Sequence, residues 1–178
     1  MRIGVYIGSF NPPHLGHKKV IEFLIKNNYV DKLFIIPTQN YWNKKNIIAK
    51  KHRINMLKYY ENDKVKIKSI PNKYEYSYQI LLKIQNDHPK DTIHLIIGSD
   101  NLEKLHEWKN QNELKKYPII VLKRGEIKKN NKLNGYKITY IDDFKNINIS
   151  STEIRNGKNK YLDLNIKKYI EENNLYKE

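Results

Sequence analysis

Short apolar runs alternate with segments of helical periodicity along most of the chain. The apolar runs predict strands at residues 3–7, 33–36, 65–67, 93–97, 119–122 and, more weakly, 138–141. Between them, helix faces are marked by Val20, Ile21, Leu24 and Ile25, by Ile54, Leu57 and Tyr60, and by Ile80, Leu81 and Ile84. A last group, Leu162, Ile166, Tyr169 and Ile170, predicts a closing amphipathic helix that packs back on the sheet. Strands separated by helices predict βαβ units and an α/β fold with a parallel sheet, in a single domain covering residues 1–178.

The composition excludes several classes of protein. The 178 residues contain no cysteine, which rules out a disulfide framework and a cysteine-ligated zinc site. No apolar run approaches the roughly 20 residues that a bilayer span needs. The first strand begins so early that no room is left for a signal peptide, and we expect a soluble cytoplasmic protein. Neither a Walker sequence nor GxGxxG is present, which argues against a P-loop kinase and a dinucleotide-binding dehydrogenase.

The formal net charge of +15 has two interpretations. A basic protein of this kind could be a non-catalytic nucleic-acid binder, and its 14 tyrosines keep that alternative open. However, the basic residues are almost all lysines scattered along the whole chain, and only Arg2, Arg53, Arg124 and Arg155 are arginines. This scatter favours a solvated surface that attracts anionic substrates over a dedicated nucleic-acid face. Because arginine is the better bidentate phosphate ligand, we expect it to be kept where geometry matters.

The stretch Gly8-Ser9-Phe10-Asn11-Pro12-Pro13-His14-Leu15-Gly16-His17 carries the strongest functional signal. It follows the first predicted strand and precedes an amphipathic segment that starts near Lys18, so its backbone N–H groups can face an anion at a helix N-terminus. His14 and His17 add side-chain donors, and we interpret the loop as a nucleotide-phosphate site. A metal pair is disfavoured, because helical histidine ligands prefer a spacing of four. Helix capping is the structural alternative.

A second candidate lies far away in the sequence, at Ile149-Ser150-Ser151-Thr152-Glu153-Ile154-Arg155. Its hydroxyl groups open another predicted helix, and Arg155 follows within about a turn. Ser150 or Ser151 could be the N-cap of this helix, and the same helix start could also bind phosphate, so both roles can coexist.

Together the two stretches resemble the HxGH and ISSTxxR signatures of the HUP-type nucleotidyltransferases, which transfer AMP to mononucleotides and related phosphates. Within this superfamily the chain is most similar to the bacterial nicotinate (or nicotinamide) mononucleotide adenylyltransferases. The similarity extends to Ile35-Ile36-Pro37, to Lys51-His52-Arg53-Ile54-Asn55-Met56-Leu57, to Ser77-Tyr78-Gln79, to Ile96-Ile97-Gly98-Ser99-Asp100-Asn101-Leu102, to Trp108 and to Ile170-Glu171-Glu172-Asn173-Asn174-Leu175-Tyr176. The resemblance implies a Rossmann-like, doubly wound parallel sheet.

The resemblance also implies roles in binding ATP. His14 and His17 would donate to its phosphates, the main chain of Gly8, Ser9 and Phe10 would contact it, and Gly8 and Gly16 would allow close approach. The main chain at Ile149, Ser150 and Ser151 and the Arg155 guanidinium would hold the triphosphate. Gly98 and Asp100 would bind the ribose. For Asp100 the structural alternative is an N-cap of a helix that begins near Leu102.

The resemblance assigns acceptor binding mainly to Trp108, because a tryptophan at this position in the family stacks on the pyridine ring of the acceptor. Ser77 and Tyr78 correspond to residues that seat the pyridine carboxyl or amide group, whereas Gln79 replaces a threonine of the family. The irregular segment 38–50 follows the second predicted strand and departs from the family at Tyr41-Trp42-Asn43. Its Lys44 or Lys45 could reach a phosphate, and Trp42 competes with Trp108 for the stacking role. The polar segment 123–137 predicts a mobile loop or excursion.

The expected reaction joins ATP to nicotinate mononucleotide, giving deamido-NAD and pyrophosphate. The acceptor phosphate attacks the α-phosphorus in line and is already ionised, so no general base is needed. Mg²⁺ is expected on the phosphates of ATP, with no metal ligand from protein side chains and with neither a specific nucleic acid nor a membrane as partner. Nicotinamide mononucleotide and phosphopantetheine remain alternative acceptors.

Overall fold

The computed structural model describes residues 1–38, 46–123 and 131–177. Its core is a six-stranded, all-parallel sheet in the order β3-β2-β1-β4-β5-β6. The strands are β1 (Arg2–Gly8), β2 (Lys32–Pro37), β3 (Val65–Ile67), β4 (Thr92–Gly98), β5 (Ile119–Leu122) and β6 (Ile138–Ile141). Each strand predicted from the sequence is confirmed, and so is the doubly wound order of the sheet.

Helices follow the strands along the chain. They are α1 (Leu15–Lys26), α2 (Lys50–Leu57), α3 (Ser77–Asp87), α4 (Ser99–Lys104), α5 (Gln111–Leu114), α6 (Ser151–Arg155) and α7 (Leu164–Glu172). Single 3₁₀ turns occur at Lys58–Tyr60, Leu105–Glu107, Asn131–Leu133 and Asn159–Tyr161. None of the helices in the described part of the chain combines the length and the apolar character that a bilayer span needs.

The alternation of side chains along the strands divides the core into two layers. One layer contains Tyr6, Leu33 and Ile35 from the sheet, covered by α1, α2 and the apolar residues around α6 and α7. The other contains Val5, Phe34 and neighbouring strand residues, covered by α3, α4 and α5. Ile166 of α7 is fully buried in the first layer, and α7 packs against α2. The predicted closing amphipathic helix is thus present, and it begins two residues after Leu162.

The order of the strands reverses between β1 and β4, the two central strands. Their register pairs Tyr6 with Ile96, so the last residues of the two strands, Gly8 and Gly98, lie at the same level. In open α/β sheets, ligands bind at such a switch point, outside the carboxyl ends of the strands. The first motif begins at Gly8 and the Gly98-Ser99-Asp100 segment begins at Gly98, so both predicted ATP-binding segments start at this crevice.

Two predicted helix starts are wrong by three residues. Helix α1 begins at Leu15 rather than near Lys18, because His14 caps it. Helix α4 begins at Ser99 rather than near Leu102, because Gly98 has the extended backbone of an N-cap, with φ −85° and ψ 164°. Asp100 therefore lies inside the first turn of α4, and its alternative role as N-cap of a later helix is wrong.

Candidate active site

The loop that leaves β1 is built around the buried ring of Phe10. This residue has a positive φ of 48°, a backbone conformation that few residues other than glycine adopt. Only 2% of its surface is exposed. Its ring packs edge-on against Tyr6 at 5.3 Å and against His17 at 4.9 Å. A Cβ on Gly8 would lie 3.0 Å from the Phe10 ring, so glycine is needed there for the loop to close over its own side chain. The Asn11–Pro12 peptide that follows is cis.

His14 and His17 form a reciprocal cap at the start of α1. The Nδ1 atom of His14 accepts a hydrogen bond from the N–H of Gly16 at 3.1 Å, and Nδ1 of His17 accepts one from the N–H of His14 at 3.2 Å. The two imidazole rings stack with centroids 3.8 Å apart. A Cβ on Gly16 would lie 2.9 Å from the His14 ring, so the absence of a side chain at Gly16 makes room for that ring.

The cap fixes the proton on each neutral ring. Because both Nδ1 atoms accept a backbone N–H, the single proton of each neutral imidazole lies on Nε2. Nε2–H is then the atom of each ring that can donate to a phosphate oxygen. The capping role of His14 and His17 is therefore present, and it is compatible with the predicted donor role because it uses the other ring nitrogen.

The second motif meets the first loop directly. Ser151 Oγ donates to the carbonyl of Pro12 at 2.9 Å, and Arg155 Nη1 donates to the carbonyl of Asn11 at 2.6 Å. Ser150 is the N-cap of α6, where its hydroxyl accepts the N–H of Glu153 at 3.2 Å. Ile149 is buried, with a methyl group 3.3 Å from the position of a Cβ on Gly16. The structure thus joins two segments that lie more than a hundred residues apart in the sequence.

Two buried polar residues hold the first loop through hydrogen bonds to main-chain groups. Neither of them was assigned a role at the site from the sequence. Arg53 of α2 is only 2% exposed, and it donates to the carbonyl of Ser9 at 2.7 Å and to that of Ile48 at 3.2 Å. Burial lowers the pKa of this guanidinium. Asn11 is 4% exposed and bonds through its side chain to the main chain of Asn46 and Ile48. The rarity of arginine in this chain was the available signal for Arg53.

The Gly98-Ser99-Asp100 segment turns from β4 into α4. Gly98 and Ser99 are buried, whereas Asp100 is exposed in the first helical turn. This places a carboxylate near the carboxyl end of β4, next to the strand that carries the first loop. The position fits the ribose contact that the sequence predicts for Asp100.

Trp108 follows α4 on the other side of the sheet from α1. Its half-buried ring packs against the core layer of α3, α4 and α5. Gln111 fixes the main chain around it, donating to the carbonyls of Leu105 at 2.8 Å and Trp108 at 2.6 Å. The hydroxyl of Tyr136 donates in turn to Gln111. The turn that carries the tryptophan is therefore held by side-chain hydrogen bonds.

Ser77 and Tyr78 open helix α3, and Tyr78 packs against the same core layer as Trp108. Its ring stacks on that of Tyr76 with centroids 6.1 Å apart. Gln79, which stands where the family has threonine, accepts the N–H groups of Glu75 and Tyr76 at 2.9 and 3.0 Å. Gln79 therefore caps the start of α3 with its side-chain carbonyl.

Some predicted residues lie outside the described part of the chain. These are Lys44 and Lys45, the Tyr41-Trp42-Asn43 departure and residues 124–130 of the polar segment 123–137. Over residues 1–38, 46–123 and 131–177, no group of three or more His, Asp or Glu side chains is placed to hold a metal ion.

Comparison with known proteins connects this geometry to a family. The model of the cytidylyltransferase-like family matches residues 5–157. A probable nicotinate-nucleotide adenylyltransferase of Fusobacterium nucleatum is 36% identical, over 96% of this chain and 97% of its own length. One of Acholeplasma laidlawii is 33% identical, over 98% and 97%. The structure of Plasmodium falciparum nicotinic acid mononucleotide adenylyltransferase complexed with NaAD superposes with a TM-score of 0.82 at 24% identity, covering 98% of this chain and 97% of that one, which supports the fold.

Proposed function

Because the chain belongs to the cytidylyltransferase-like family of nucleotidyltransferases, we propose that it transfers AMP from ATP to nicotinate mononucleotide, giving deamido-NAD and pyrophosphate. The observation that carries the proposal is the contact between the histidine loop and the serine–arginine motif at the switch point of the sheet. The names of the full-length relatives from Fusobacterium and Acholeplasma supply the substrate. The catalytic unit in this proposal is residues 1–178 acting as one domain.

The phosphates of ATP lie over the loop after β1 in this proposal. The main chain of Gly8, Ser9 and Phe10 lines the site, and Nε2–H of His14 and of His17 donates to phosphate oxygens. As the bond to pyrophosphate breaks, negative charge moves onto the bridging oxygen, and donors already held in place stabilise it without reorganising. The shared cap supplies this preorganisation, because it fixes both rings and their tautomers.

The second motif supplies the remaining contacts to the triphosphate. The main chain at Ile149, Ser150 and Ser151 approaches the phosphates, and the Arg155 guanidinium exchanges part of its bonding to the Asn11 carbonyl for phosphate oxygens. Gly98 and Asp100 bind the ribose from the end of β4.

The acceptor occupies the side of the crevice that α3 and the turn before α5 border. Trp108 stacks on the pyridine ring, and Ser77 and Tyr78 contact the carboxylate that distinguishes nicotinate from nicotinamide. Lys44 or Lys45, which lie outside the described residues, would contact the acceptor phosphate in this proposal. The bound acceptor is then aligned for in-line attack on the α-phosphorus, and its phosphate is an ionised nucleophile that needs no general base.

Mg²⁺ enters this site with ATP. The charged or basic side chains at the first loop are the imidazoles of His14 and His17 and the guanidinium groups of Arg53 and Arg155. These groups suit anions, whereas Mg²⁺ prefers oxygen ligands. In this proposal the ion is therefore carried by the phosphates as part of the substrate. The partners in this proposal are the two nucleotides, without a specific nucleic acid or a membrane, in the cytoplasm.

Pyrophosphate release with ATP and Mg²⁺ tests the proposal, with nicotinate mononucleotide, nicotinamide mononucleotide and 4′-phosphopantetheine compared as acceptors. We expect the highest kcat/KM with nicotinate mononucleotide. A preference for nicotinamide mononucleotide would keep the adenylyl transfer and correct the acceptor. Turnover of phosphopantetheine alone, or of none of the three, would overturn the proposed substrate.

A further inference from the structure

The C-terminal tail folds back onto the loop after β1. Helix α7 ends in a Schellman motif, in which the N–H of Leu175 bonds to the carbonyl of Ile170 at 3.0 Å and that of Asn174 to Glu171 at 3.2 Å. Asn174 adopts the left-handed conformation that this motif requires, with φ 50°. The chain reverses there, and the hydroxyl of Tyr176 reaches the side-chain oxygen of Asn11 at 2.8 Å.

Asn11 is the point at which several segments meet the loop. Its Nδ2 donates to the carbonyl of Asn46 at 2.9 Å, and its Oδ1 accepts the N–H of Ile48 at 3.2 Å as well as the hydroxyl of Tyr176. Its main-chain carbonyl accepts a hydrogen bond from Nη1 of Arg155 at 2.6 Å. Because a backbone N–H can only donate, the contact with Ile48 fixes which end of the amide carries the oxygen, and Tyr176 must then be the donor.

We propose that Tyr176 is a positioning residue for the adenylyl transfer, holding Asn11 and thereby the loop that carries the two histidines. The inference rests on the proposed function of that loop. Asn11 lies three residues before His14, and its own carbonyl is the resting partner of Arg155, so a rotation of Asn11 would displace donors of both phosphate motifs. Tyr176 itself touches neither ATP nor the acceptor in this arrangement.

The surroundings of Tyr176 keep its hydroxyl a donor. Burial raises the pKa of the phenol, and the nearby positive charges of Arg155 and Arg53 lower it by less. The hydroxyl is therefore protonated at neutral pH and can donate to Asn11. Arg53 supports the same loop one step earlier, through the carbonyl of Ser9.

The chain offers a matched control within the same C-terminal segment. The hydroxyl of Tyr169 lies 2.9 Å from Nδ1 of His52 and accepts a hydrogen bond from Nδ2 of Asn55 at 2.9 Å. These two contacts join α7 to α2. Tyr169→Phe removes one hydroxyl that holds the C-terminal helix but does not touch the loop. Tyr176→Phe removes one hydroxyl that does.

The experiment compares wild type, Y176F and Y169F by melting temperature, by steady-state kinetics and by equilibrium binding of ATP. Loss of one hydrogen bond that orients the loop is expected to lower kcat/KM for ATP about tenfold in Y176F. KM for nicotinate mononucleotide is expected to stay within about twofold of wild type. Y169F is expected to lose a similar amount of thermal stability and to keep kcat/KM for ATP within about twofold.

Two outcomes would overturn the positioning role. One is a Y176F enzyme with wild-type efficiency toward ATP, and the other is an equal loss in Y169F, which would indicate general loosening of the C-terminal helix. If wild type shows no turnover with any acceptor, the proposed function fails instead. ATP affinity alone then tests Tyr176, with weaker binding expected in Y176F than in Y169F.

Discussion

Two histidines share one helix cap at the centre of the site, and the cap determines their chemistry. Each ring uses Nδ1 to accept a backbone N–H, so its proton is directed to Nε2. The two rings stack with centroids 3.8 Å apart, so the cap holds them as one unit. At this scale the capping role seen in the structure and the proposed catalytic role use different atoms of one ring.

Substitution of His17 separates the two roles. His17→Ala removes the acceptor in the cap and the donor to phosphate, whereas His17→Gln keeps a side-chain acceptor at the third helical position, as in an ordinary capping box. We expect both variants to lose turnover about a hundredfold or more, and His17→Gln to retain more thermal stability. Pyrophosphate release and thermal melts measure these effects. Near-normal turnover in both variants would contradict the role of His17 as a donor to the phosphates.

Trp108 tests the acceptor side. Stacking between flat rings contributes about 0.5–1.5 kcal/mol beyond burial. Loss of the indole is therefore expected to raise KM for nicotinate mononucleotide about two- to tenfold while leaving KM for ATP unchanged. Trp108→Ala is expected to show the whole increase in KM for nicotinate mononucleotide. Trp108→Phe keeps an aromatic ring against the same core layer, so its KM is expected to stay close to that of wild type. Equal changes in the two KM values would show that Trp108 acts through packing.

At the scale of elements, the sequence predicted what depends on local periodicity. The apolar runs at residues 3–7 and 93–97 become the central strands, each extended by one residue at either end, because backbone pairing continues past the last apolar side chain. Helix starts were less predictable: neither a histidine cap at His14 nor an extended glycine at Gly98 gives a signal that periodicity can detect.

The supports of the site depend on contacts between distant elements, which periodicity does not reveal. Arg53 looks like one more charge on α2, yet it is buried under the loop and bonds to Ser9. Asn11 and Tyr176 are separated by 165 positions and meet only after the sheet, α2 and α7 are assembled. The two candidate phosphate motifs were found because their residue types carry a chemical signature. Asn11 and Tyr176 carry no such signature, and Arg53 is marked only by the rarity of arginine in this chain.

The starts of β1 and β2 are joined by an ion pair that makes acid stability testable. Arg2 contacts Asp31 through its guanidinium at 2.7 Å and through its main-chain N–H at 2.7 Å. These bonds lower the pKa of Asp31 from 3.8 to about 2. A carboxyl group with a depressed pKa stabilises the fold above its unfolded pKa, and that contribution is lost as the pH falls toward its folded pKa.

Asp31→Asn should therefore be less stable than wild type above about pH 4, and the difference should disappear between about pH 4 and pH 2. Urea unfolding midpoints measured from pH 2 to pH 6 give the comparison. Asp63→Asn, which removes the same charge from an exposed bend, is the control and should show no such convergence. Parallel curves for wild type and Asp31→Asn would contradict the role of the ion pair.

At the scale of the whole molecule, the net charge of +15 acts on every anion that approaches. A field of this kind raises the encounter rate with ATP and with nicotinate mononucleotide, and salt screens it over about 10 Å at 0.1 M. Increasing the NaCl concentration from about 20 to 200 mM is expected to lower kcat/KM for ATP several-fold while changing kcat little, because steering affects capture and not the bound complex. An efficiency that does not change with salt would show that the charge is spread too diffusely to steer.

The same charge predicts how the protein behaves toward nucleic acid. A non-catalytic nucleic-acid binder was the alternative that the composition left open. An enzyme with scattered lysines attracts a polyanion only through released counterions, so its affinity for single-stranded oligonucleotides should be weak, independent of sequence and steeply reduced by salt. A dedicated binder would also stack bases on aromatic side chains and keep part of its affinity at high salt. Fluorescence anisotropy with homopolymers of different bases, titrated from about 20 to 300 mM NaCl, separates the two. Affinity that prefers one base and persists at high salt would require a nucleic-acid surface beside the adenylyltransferase site.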